Sequence, residues 1–314
     1  MMVFSKGGRI SKELWKYADL KIAEVKSFKY LGFTFQSNGR HTKHIEDMAA
    51  TGKRRVAEVW SLGERKFKNN FIVRMQMFKS LVVPAITYGA EITGWREWED
   101  IERTQRRYLR WVLGLDRGTR KAVLMDETKT LPIYFETGAK AMRYKERIQN
   151  SPCQVLRECL KEVHSGIKSS WYDGRRLYCN RNGWSDTEIN AAGRRGESLW
   201  GELWMRDIEC FHQLNYNKVS LSHYSSLHTD RLAWYLQRGR NISLIARFRC
   251  GNEERGRSSW RGDRSCRICG LEDETLLHIK ETCCQDPRTV EQLLDERGYG
   301  EAWMRKVKTT HRNC

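Results

Sequence analysis

The sequence predicts a mainly α-helical, multi-module fold, with a small β-hairpin at the N-terminus and a small zinc-knuckle module at the C-terminus. Apolar and polar residues alternate near the start of the chain, apolar residues then recur at helical spacing, and cysteine and histidine cluster near the end. The 12 Trp, 12 Tyr and 10 Phe indicate real hydrophobic cores, because so many aromatic side chains are hard to leave in water.

The predicted hairpin lies in residues 1–40. The stretch "LKIAEVKSFKYLGFTFQSNG" alternates apolar and polar residues, and Ser37-Asn38-Gly39 supplies a turn that closes the run. The apolar side chains available for one buried face or its neighbour are Ile22, Val25, Phe28, Tyr30, Phe33 and Phe35.

Helical periodicity follows in residues 41–150. Gly63 is a plausible end of the first helix, and Pro84 should kink or interrupt the second. The third helix, within "EDIERTQRRYLRWVLGLDRGTRK", is predicted to be amphipathic and basic. One side carries Tyr108, Trp111, Val112 and Leu115, and the other carries Arg103, Arg106, Arg107 and Arg110.

The remaining chain divides into a connector and a C-terminal module. Short helical stretches alternate with glycine and arginine in residues 151–230, which we interpret as a charged helical connector, compact or not. Residues 231–314 add a helix, a basic loop and the Cys and His cluster. The predicted modules are therefore 1–40, 41–150, 151–230 and 231–314.

The segment "CRICGLEDETLLHIKETC" carries the most chemistry. Its spacing, C-x2-C-x8-H-x4-C, offers four soft ligands for a zinc tetrahedron with bonds of about 2.0 to 2.3 Å. Gly270 follows the first two cysteines and suits the positive φ that such a loop requires. Four protein ligands leave no open position for water, so we expect structural zinc. The predicted ligands are Cys266, Cys269, His278 and Cys283, with Cys284 the alternative fourth ligand.

The charge balance predicts a polyanionic partner. The chain has 57 Lys and Arg against 39 Asp and Glu, a formal net charge of +18, which favours nucleic acid over a membrane surface or an acidic protein. The sequence opens on no signal-peptide pattern and contains no apolar run of roughly 20 residues. We therefore expect an intracellular protein, in the nucleus or cytoplasm and not secreted, with no membrane partner.

Three segments, in order, resemble the C-terminal part of a non-LTR retrotransposon reverse transcriptase of the kind abundant in insect genomes. They are "FKYLGFTF", "YGAEITGWREWEDIERTQRRYLRWVLGLDR" and the Cys-Cys-His-Cys motif, and the resemblance covers nearly the whole chain. It implies that residues 28–32 match the primer grip, that residues 41–150 form a thumb, and that the Cys and His cluster is the family's zinc knuckle.

The resemblance implies RNA-directed DNA polymerase as the parent activity, but we do not expect this chain to be an enzyme on its own. In the family the Tyr-x-Asp-Asp turn lies several dozen residues before the primer grip, whereas Tyr17-Ala18-Asp19 lies 13 residues before Tyr30. Leu20 also stands where the second aspartate should be. Two-metal catalysis requires a carboxylate cluster, so no catalytic residue and no Mg²⁺ site are expected in this truncated fragment, which lacks the palm.

The expected function is therefore binding of RNA, DNA or both, largely without sequence preference, with the oligomeric state left open. The alternative is an inert, decayed retrotransposon copy. The expected contacts to nucleic acid are Lys29 and Tyr30 at the grip, Arg103, Arg106, Arg107 and Arg110 on the thumb, and Arg255, Arg257 and Arg261 beside the knuckle.

Overall fold

The computed structural model confirms a mainly helical fold with small antiparallel hairpins near the N-terminus and a Cys and His cluster near the C-terminus. It describes residues 1–4, 15–164, 170–195, 197–216, 223–227, 231–254, 264–295 and 298–313. Arg255, Arg257 and Arg261, predicted to contact nucleic acid, lie outside these residues.

The strands form two separate antiparallel pairs. These are β1 (Lys16–Tyr17) with β2 (Leu20–Lys21), and β3 (Ser27–Tyr30) with β4 (Phe33–Gln36). The helices are α1 (Thr42–Lys66), α2 (Phe71–Met77), α3 (Val83–Ile86), α4 (Ala90–Thr93), α5 (Glu99–Leu113), α6 (Lys121–Thr128), α7 (Ile133–Gln149), α8 (Gln154–His164), α9 (Ser170–Arg181), α10 (Asp186–Arg194), α11 (Trp200–Tyr216), α12 (Tyr224–Leu227), α13 (Trp234–Arg238), α14 (Ile242–Arg249), α15 (Leu276–His278), α16 (Val290–Leu294) and α17 (Glu301–Asn313). π-helical segments occupy Phe78–Val82 and Ile279–Cys283.

The second hairpin closes through a two-residue turn. Leu31 and Gly32 have φ of 46° and 83°, so both central residues adopt the positive φ of a type I′ turn. The hydroxyl of Tyr88 donates a hydrogen bond to the carbonyl of Leu31. The predicted turn at Ser37-Asn38-Gly39 follows β4 and ends the strand region, with Gly39 at φ 67°.

The helical predictions need two adjustments. Helix α1 continues through Gly63 to Lys66. Gly63 does not end the helix but lets Arg74 pack close to it, since a Cβ there would lie 3.3 Å from Nε of Arg74. Helix α5 ends at Leu113, where Gly114 turns the chain with φ 66°. The predicted interruption near Pro84 is present, since the hydrogen bonding changes to the π pattern over Phe78–Val82.

The chain divides into two compact units, each made of three segments. Unit 1 is Met1–Arg55, Ser80–Thr104 and Pro132–Cys210, and unit 2 is Val56–Lys79, Gln105–Leu131 and Phe211–Cys314. This division differs from the four consecutive modules of the prediction. Periodicity along a sequence identifies helices, but it does not identify which helices pack together.

The core of unit 1 includes much of the predicted connector. Helices α9, α10 and α11 contribute buried side chains that pack with those of α7, so this part of the connector is compact. The cluster contains Trp95, Ala141, Met142, Tyr178, Cys179, Ile189, Ala192, Leu199 and Leu203. Gly138 permits the contact between α7 and α9, because a Cβ there would lie 2.6 Å from the ring of Tyr178.

His44 fixes the second hairpin inside unit 1. The backbone N–H of Thr34 donates to His44 Nδ1 at 3.3 Å, so Nε2 carries the proton and donates to the carbonyl of Tyr88 at 2.9 Å. The buried imidazole stacks on Phe33, with ring centroids 4.0 Å apart. Burial lowers the pKa of His44 from its ordinary value of about 6.5.

We expect the protection of the second hairpin against amide hydrogen exchange to fall as the pH drops below about 6.5. The reason is that a protonated Nδ1 of His44 cannot accept the hydrogen bond from the N–H of Thr34. The folded-state pKa is depressed, so this stabilisation is present above the ordinary pKa and is lost as the pH falls, by up to about 1.4 kcal/mol per pH unit. Hydrogen exchange of residues 27–36 at pH 7.5 and 5.5, corrected for intrinsic rates, measures it.

The control for this pH effect is His44→Asn, which cannot titrate. His41, whose pKa is lowered by burial and by the neighbouring His44, is present in both proteins, so the part of the pH effect that the variant loses depends on His44. We expect weaker protection in the variant and a smaller dependence on pH, because only His41 still titrates beside the hairpin. An equal loss of protection at pH 5.5 in both proteins would contradict the role of His44.

Candidate metal centre and basic surfaces

Cys266 and Cys269 lie on one tight loop. The N–H of Cys266 donates to the carbonyl of Glu272, and the N–H of Gly270 donates to the carbonyl of Cys266, each at 2.7 Å. Gly270 has φ 73°, which confirms the predicted need for glycine. The loop therefore brings the first two predicted ligands to one side.

A π-helical turn brings the other two ligands together. Thr275 caps α15 by accepting a hydrogen bond from the N–H of His278 at 3.1 Å, and the π segment Ile279–Cys283 follows directly. In an α-helix, residues five apart point about 140° away from each other, at about 100° per residue. The wider π turn instead returns Cys283 to the side of His278.

The four predicted ligands converge into one cluster. The ligand atoms of Cys266, Cys269, His278 and Cys283 all lie within 4.8 Å of one another. Sγ of Cys266 and Cys283 are 3.7 Å apart, and Nε2 of His278 lies 3.2 Å and 3.3 Å from Sγ of Cys269 and Cys283. Zinc bonds of about 2.0 to 2.3 Å give tetrahedral edges of roughly 3.3 to 3.8 Å. The cluster can hold a metal ion and is compatible with structural zinc.

Neighbouring groups orient the side chains of the four candidate ligands and change the pKa of two of the cysteines. The carboxylate of Glu272 lies 2.9 Å from Nδ1 of His278, which orients the ring and leaves Nε2 for a metal. A hydrogen bond from the backbone of Leu271 is the main reason that the pKa of Cys269 falls to about 6. Burial raises the pKa of Cys283, so metal binding there would release a proton.

Cys284 is not part of the cluster. Its side chain is 1% exposed and its Sγ lies 3.9 Å from Oγ1 of Thr310. Its carbonyl accepts a hydrogen bond from Nε1 of Trp303 at 2.7 Å. Of the two adjacent cysteines, Cys283 is therefore the one placed as the fourth ligand.

A buried charge network supports the metal-binding loop within unit 2. Glu274 is fully buried and accepts hydrogen bonds from both the backbone N–H and the guanidinium of Arg267. The same guanidinium donates to the carbonyl of Glu253, whose carboxylate pairs with Arg247 and lies 3.5 Å from Nδ1 of His311. Sequence reasoning missed this network, because nothing in "RICGLEDET" separates a buried glutamate from its exposed neighbours.

The basic face of α5 is narrower than predicted. Arg103 and Arg107 are exposed, but Arg106 is only 7% exposed and Arg110 is half-buried. Arg110 donates to the carbonyl of Thr119, and burial lowers its pKa. The buried surface of this helix extends around more than half of its circumference. It is therefore wider than the stripe of apolar residues from which the prediction started. The prediction that Arg106 contacts nucleic acid is therefore corrected.

The exposed cations of α5 have different surroundings. Arg103 pairs with Asp100 at 3.1 Å and with Glu99 at 3.9 Å. Arg107 lies over the ring of Trp111, 4.4 Å from its centroid. Arg107 therefore presents a cation beside an aromatic ring, whereas Arg103 lies beside two carboxylates.

The predicted grip residues are both exposed, on opposite faces of the hairpin. Lys29 pairs with Thr34 across the strands, and Tyr30, at 59% exposure, pairs with Phe33. Phe28, whose sequence pattern makes it available for a buried face, is 54% exposed on the same face as Tyr30, and it was not predicted as a contact to nucleic acid. Aromatic residues two apart in a strand are the signal that could have indicated it.

Ala18 and Asp19 form the turn between β1 and β2, and both are exposed. Among the described residues, the group of His, Cys, Asp and Glu that converges on a possible metal position is the Cys and His cluster, which does not include Asp19. Comparisons with protein-family models, with curated proteins and with solved structures find no match. Within the part of the chain that the structure describes, no helix is both long and apolar enough to cross a membrane.

Proposed function

We propose that this chain is a nucleic-acid-binding protein whose C-terminal part is held together by structural zinc. The observation that carries the proposal is the preformed ligand cluster, with all four ligand atoms within 4.8 Å, in a chain of net charge +18. Three sulfurs and one imidazole nitrogen form a donor set that selects zinc over the oxygen-preferring Mg²⁺ and Ca²⁺.

Zinc would act as a folding staple in this proposal. Cys266, Cys269, His278 and Cys283 would hold it, and Glu272 would orient the imidazole. The bound ion would connect the loop around Cys266 to the π turn that ends at Cys283. Four protein ligands leave no position for a reacting water, so the ion has no catalytic task.

Affinity for nucleic acid would come mainly from exposed cations. Phosphate contacts release bound counterions and give binding that weakens steeply with salt and depends little on sequence. Arg107 combines its charge with the half-buried ring of Trp111 on α5, whereas Lys29 and Tyr30 offer a charge and an exposed ring on opposite faces of the hairpin. These positions support binding to RNA or DNA through phosphates, with stacking on unpaired bases.

The proposal also includes the evolutionary origin of the chain. The ordered resemblance to a non-LTR retrotransposon reverse transcriptase supports an element-derived fragment whose parent activity is RNA-directed DNA polymerase. We propose that this polypeptide binds nucleic acid without polymerising it and acts inside the cell.

The test is titration of the zinc-loaded chain with a labelled RNA hairpin and a labelled DNA duplex between 50 and 300 mM salt. We expect log affinity to fall linearly with log salt, and Arg107→Gln to reduce the slope by roughly 1. The matched control is Arg195→Gln, an exposed arginine that pairs with Glu197. A folded, zinc-loaded chain that binds neither probe at 50 mM salt would indicate an inert retrotransposon remnant.

Primer extension in the presence of Mg²⁺ tests the absence of polymerase activity separately. We expect no extension of an annealed primer by the purified chain. Extension that disappears on Asp19→Asn would overturn the assignment as a non-catalytic fragment.

A further inference from the structure

We propose that a cationic stripe in unit 2, along the end of α13 and one face of α17, binds the phosphodiester backbone of nucleic acid. This inference rests on the proposed function and names a surface for it. The stripe consists of Lys68, Arg238, Arg240, Arg305, Lys308 and Arg312, of which Lys308 is half-buried and the others are exposed.

Close packing joins the first three cations. Gly239, between Arg238 and Arg240, has φ 65°, and a Cβ there would lie 2.0 Å from the carbonyl oxygen of Asn69. The loop after α13 therefore lies directly against the residue that follows Lys68. Lys68 and Arg240 have side chains that are 71% and 72% exposed, and Lys68 also pairs with Glu64 at 3.2 Å.

Asn241 joins the same loop to α17. Its Nδ2 donates to Glu301 at 2.6 Å, and its Oδ1 accepts from Nη2 of Arg305 at 2.8 Å. Nε of Arg240 lies 3.5 Å from the other oxygen of Glu301. Asn241 has φ 49°, a positive value that is uncommon outside glycine, and its two side-chain contacts hold the loop in this position.

The stripe continues along α17 at helical spacing. Arg305, Lys308 and Arg312 are three and then four residues apart, so they lie on the face that begins with Glu301. Arg305 and Arg312 are separated by about 10 Å along the helix axis. The buried side chains of α17 include Trp303, Met304 and Val307, which lie outside this row of cations.

This arrangement favours nucleic acid over an anionic membrane. A helix that binds a membrane surface presents large apolar side chains beside its cations so that they enter the lipid. On α17 those side chains are in the core of the protein. A linear row of cations with no exposed large apolar neighbour on that helix instead matches a phosphate backbone.

The experiment compares two triple variants of the full zinc-loaded chain, each with three positive charges removed. One is Arg240→Gln/Arg305→Gln/Arg312→Gln in the stripe, and the control is Arg157→Gln/Lys161→Gln/Arg176→Gln on exposed positions of α8 and α9. Circular dichroism melting checks folding. A second stripe variant, Lys308→Glu/Arg312→Glu, leaves the contacts of Asn241 intact.

The probes are the RNA hairpin, the DNA duplex and phosphatidylserine vesicles. We expect both stripe variants to bind the nucleic acids at least about tenfold more weakly at about 0.1 M salt, and the triple variant to reduce the salt slope by about 2 to 3. The control should change affinity by less than about threefold. Retention of affinity for one nucleic acid only would assign the stripe to the other.

Other outcomes overturn the inference in distinguishable ways. Equal losses in the stripe and control variants would mean that net charge alone drives binding, and unchanged affinity would mean that the stripe is not a contact surface. Loss of vesicle binding alone would assign the stripe to membranes. In these cases the proposed function survives, whereas a wild-type chain that binds neither nucleic acid overturns both.

Discussion

Replacing Cys283 with serine is expected to abolish stoichiometric zinc binding and to unfold the segment around the ligand cluster. Its Sγ lies 3.7 Å from that of Cys266 and 3.3 Å from Nε2 of His278, so the substitution removes one vertex of the tetrahedron. Structural zinc contributes apparent free energies of about 10 to 16 kcal/mol in small zinc-finger peptides. Such a contribution is as large as the whole stability of many domains.

The adjacent cysteine provides a matched control. Cys284→Ala removes the thiol one residue away, which is buried near Thr310 and points outside the cluster. We expect this variant to retain one zinc per chain and to lose only packing energy, about 1 kcal/mol. Metal analysis of the purified proteins and hydrogen exchange of residues 264–295 measure both effects. Retention of zinc by the Cys283→Ser protein, or its loss from the Cys284→Ala protein, would refute the assigned ligand set.

The second large effect is expected at Glu127, which lies on α6 in unit 2 and is 2% exposed. Its carboxylate accepts from Nε of Arg249 and from the hydroxyl of Tyr224, each at 2.6 Å. Burial alone would raise the pKa of Glu127, but the guanidinium of Arg249 holds that pKa below its ordinary value. The pair is therefore ionised inside the protein.

Glu127→Ala is expected to lower the free energy of unfolding by about 3 to 5 kcal/mol, because it leaves the buried guanidinium of Arg249 without its counter-charge. Arg249 also donates to the carbonyl of Leu294 at 2.9 Å. A guanidinium that moves away after the loss of Glu127 would therefore also disturb the contact with α16. The double variant Glu127→Leu/Arg249→Met removes both charges and should be much less destabilised than the single variant.

Urea denaturation of the single and double variants measures this coupling. Glu197→Ala is the control, since it breaks an exposed pair with Arg195 and should change stability little. A Glu127→Ala protein as stable as the control, or a double variant as destabilised as Glu127→Ala, would contradict a buried ion pair at this position.

The parts of the fold that could be predicted are those set by short-range patterns. The four candidate metal ligands follow from spacing within 18 residues, and Gly270 follows from the φ that such a loop requires. The hairpin follows from the alternation of apolar residues, yet its turn uses Leu31 at positive φ, which residue preferences place at glycine or asparagine.

The parts that could not be predicted depend on contacts between distant segments. Helical spacing places Arg106 and Arg107 on the same predicted basic side of α5. In the structure Arg106 is buried and Arg107 is exposed, because neighbouring segments cover one part of that side and not the other. Glu274 and Glu127 are likewise indistinguishable in sequence from solvated glutamates. Their burial depends on Arg267 and Arg249, whose positions the fold as a whole determines.

The three-segment construction of each unit has a consequence for deletion experiments. A fragment that starts at residue 231 keeps all four candidate metal ligands, but it lacks Val56–Lys79 and Gln105–Leu131, which belong to the same compact unit. Arg249 would then remain without Glu127, and Gly239 without Asn69. Failure of such a fragment to bind nucleic acid would therefore report a broken fold. Functions in this protein can be mapped by point substitutions in the intact chain, and not by trimming it from either end.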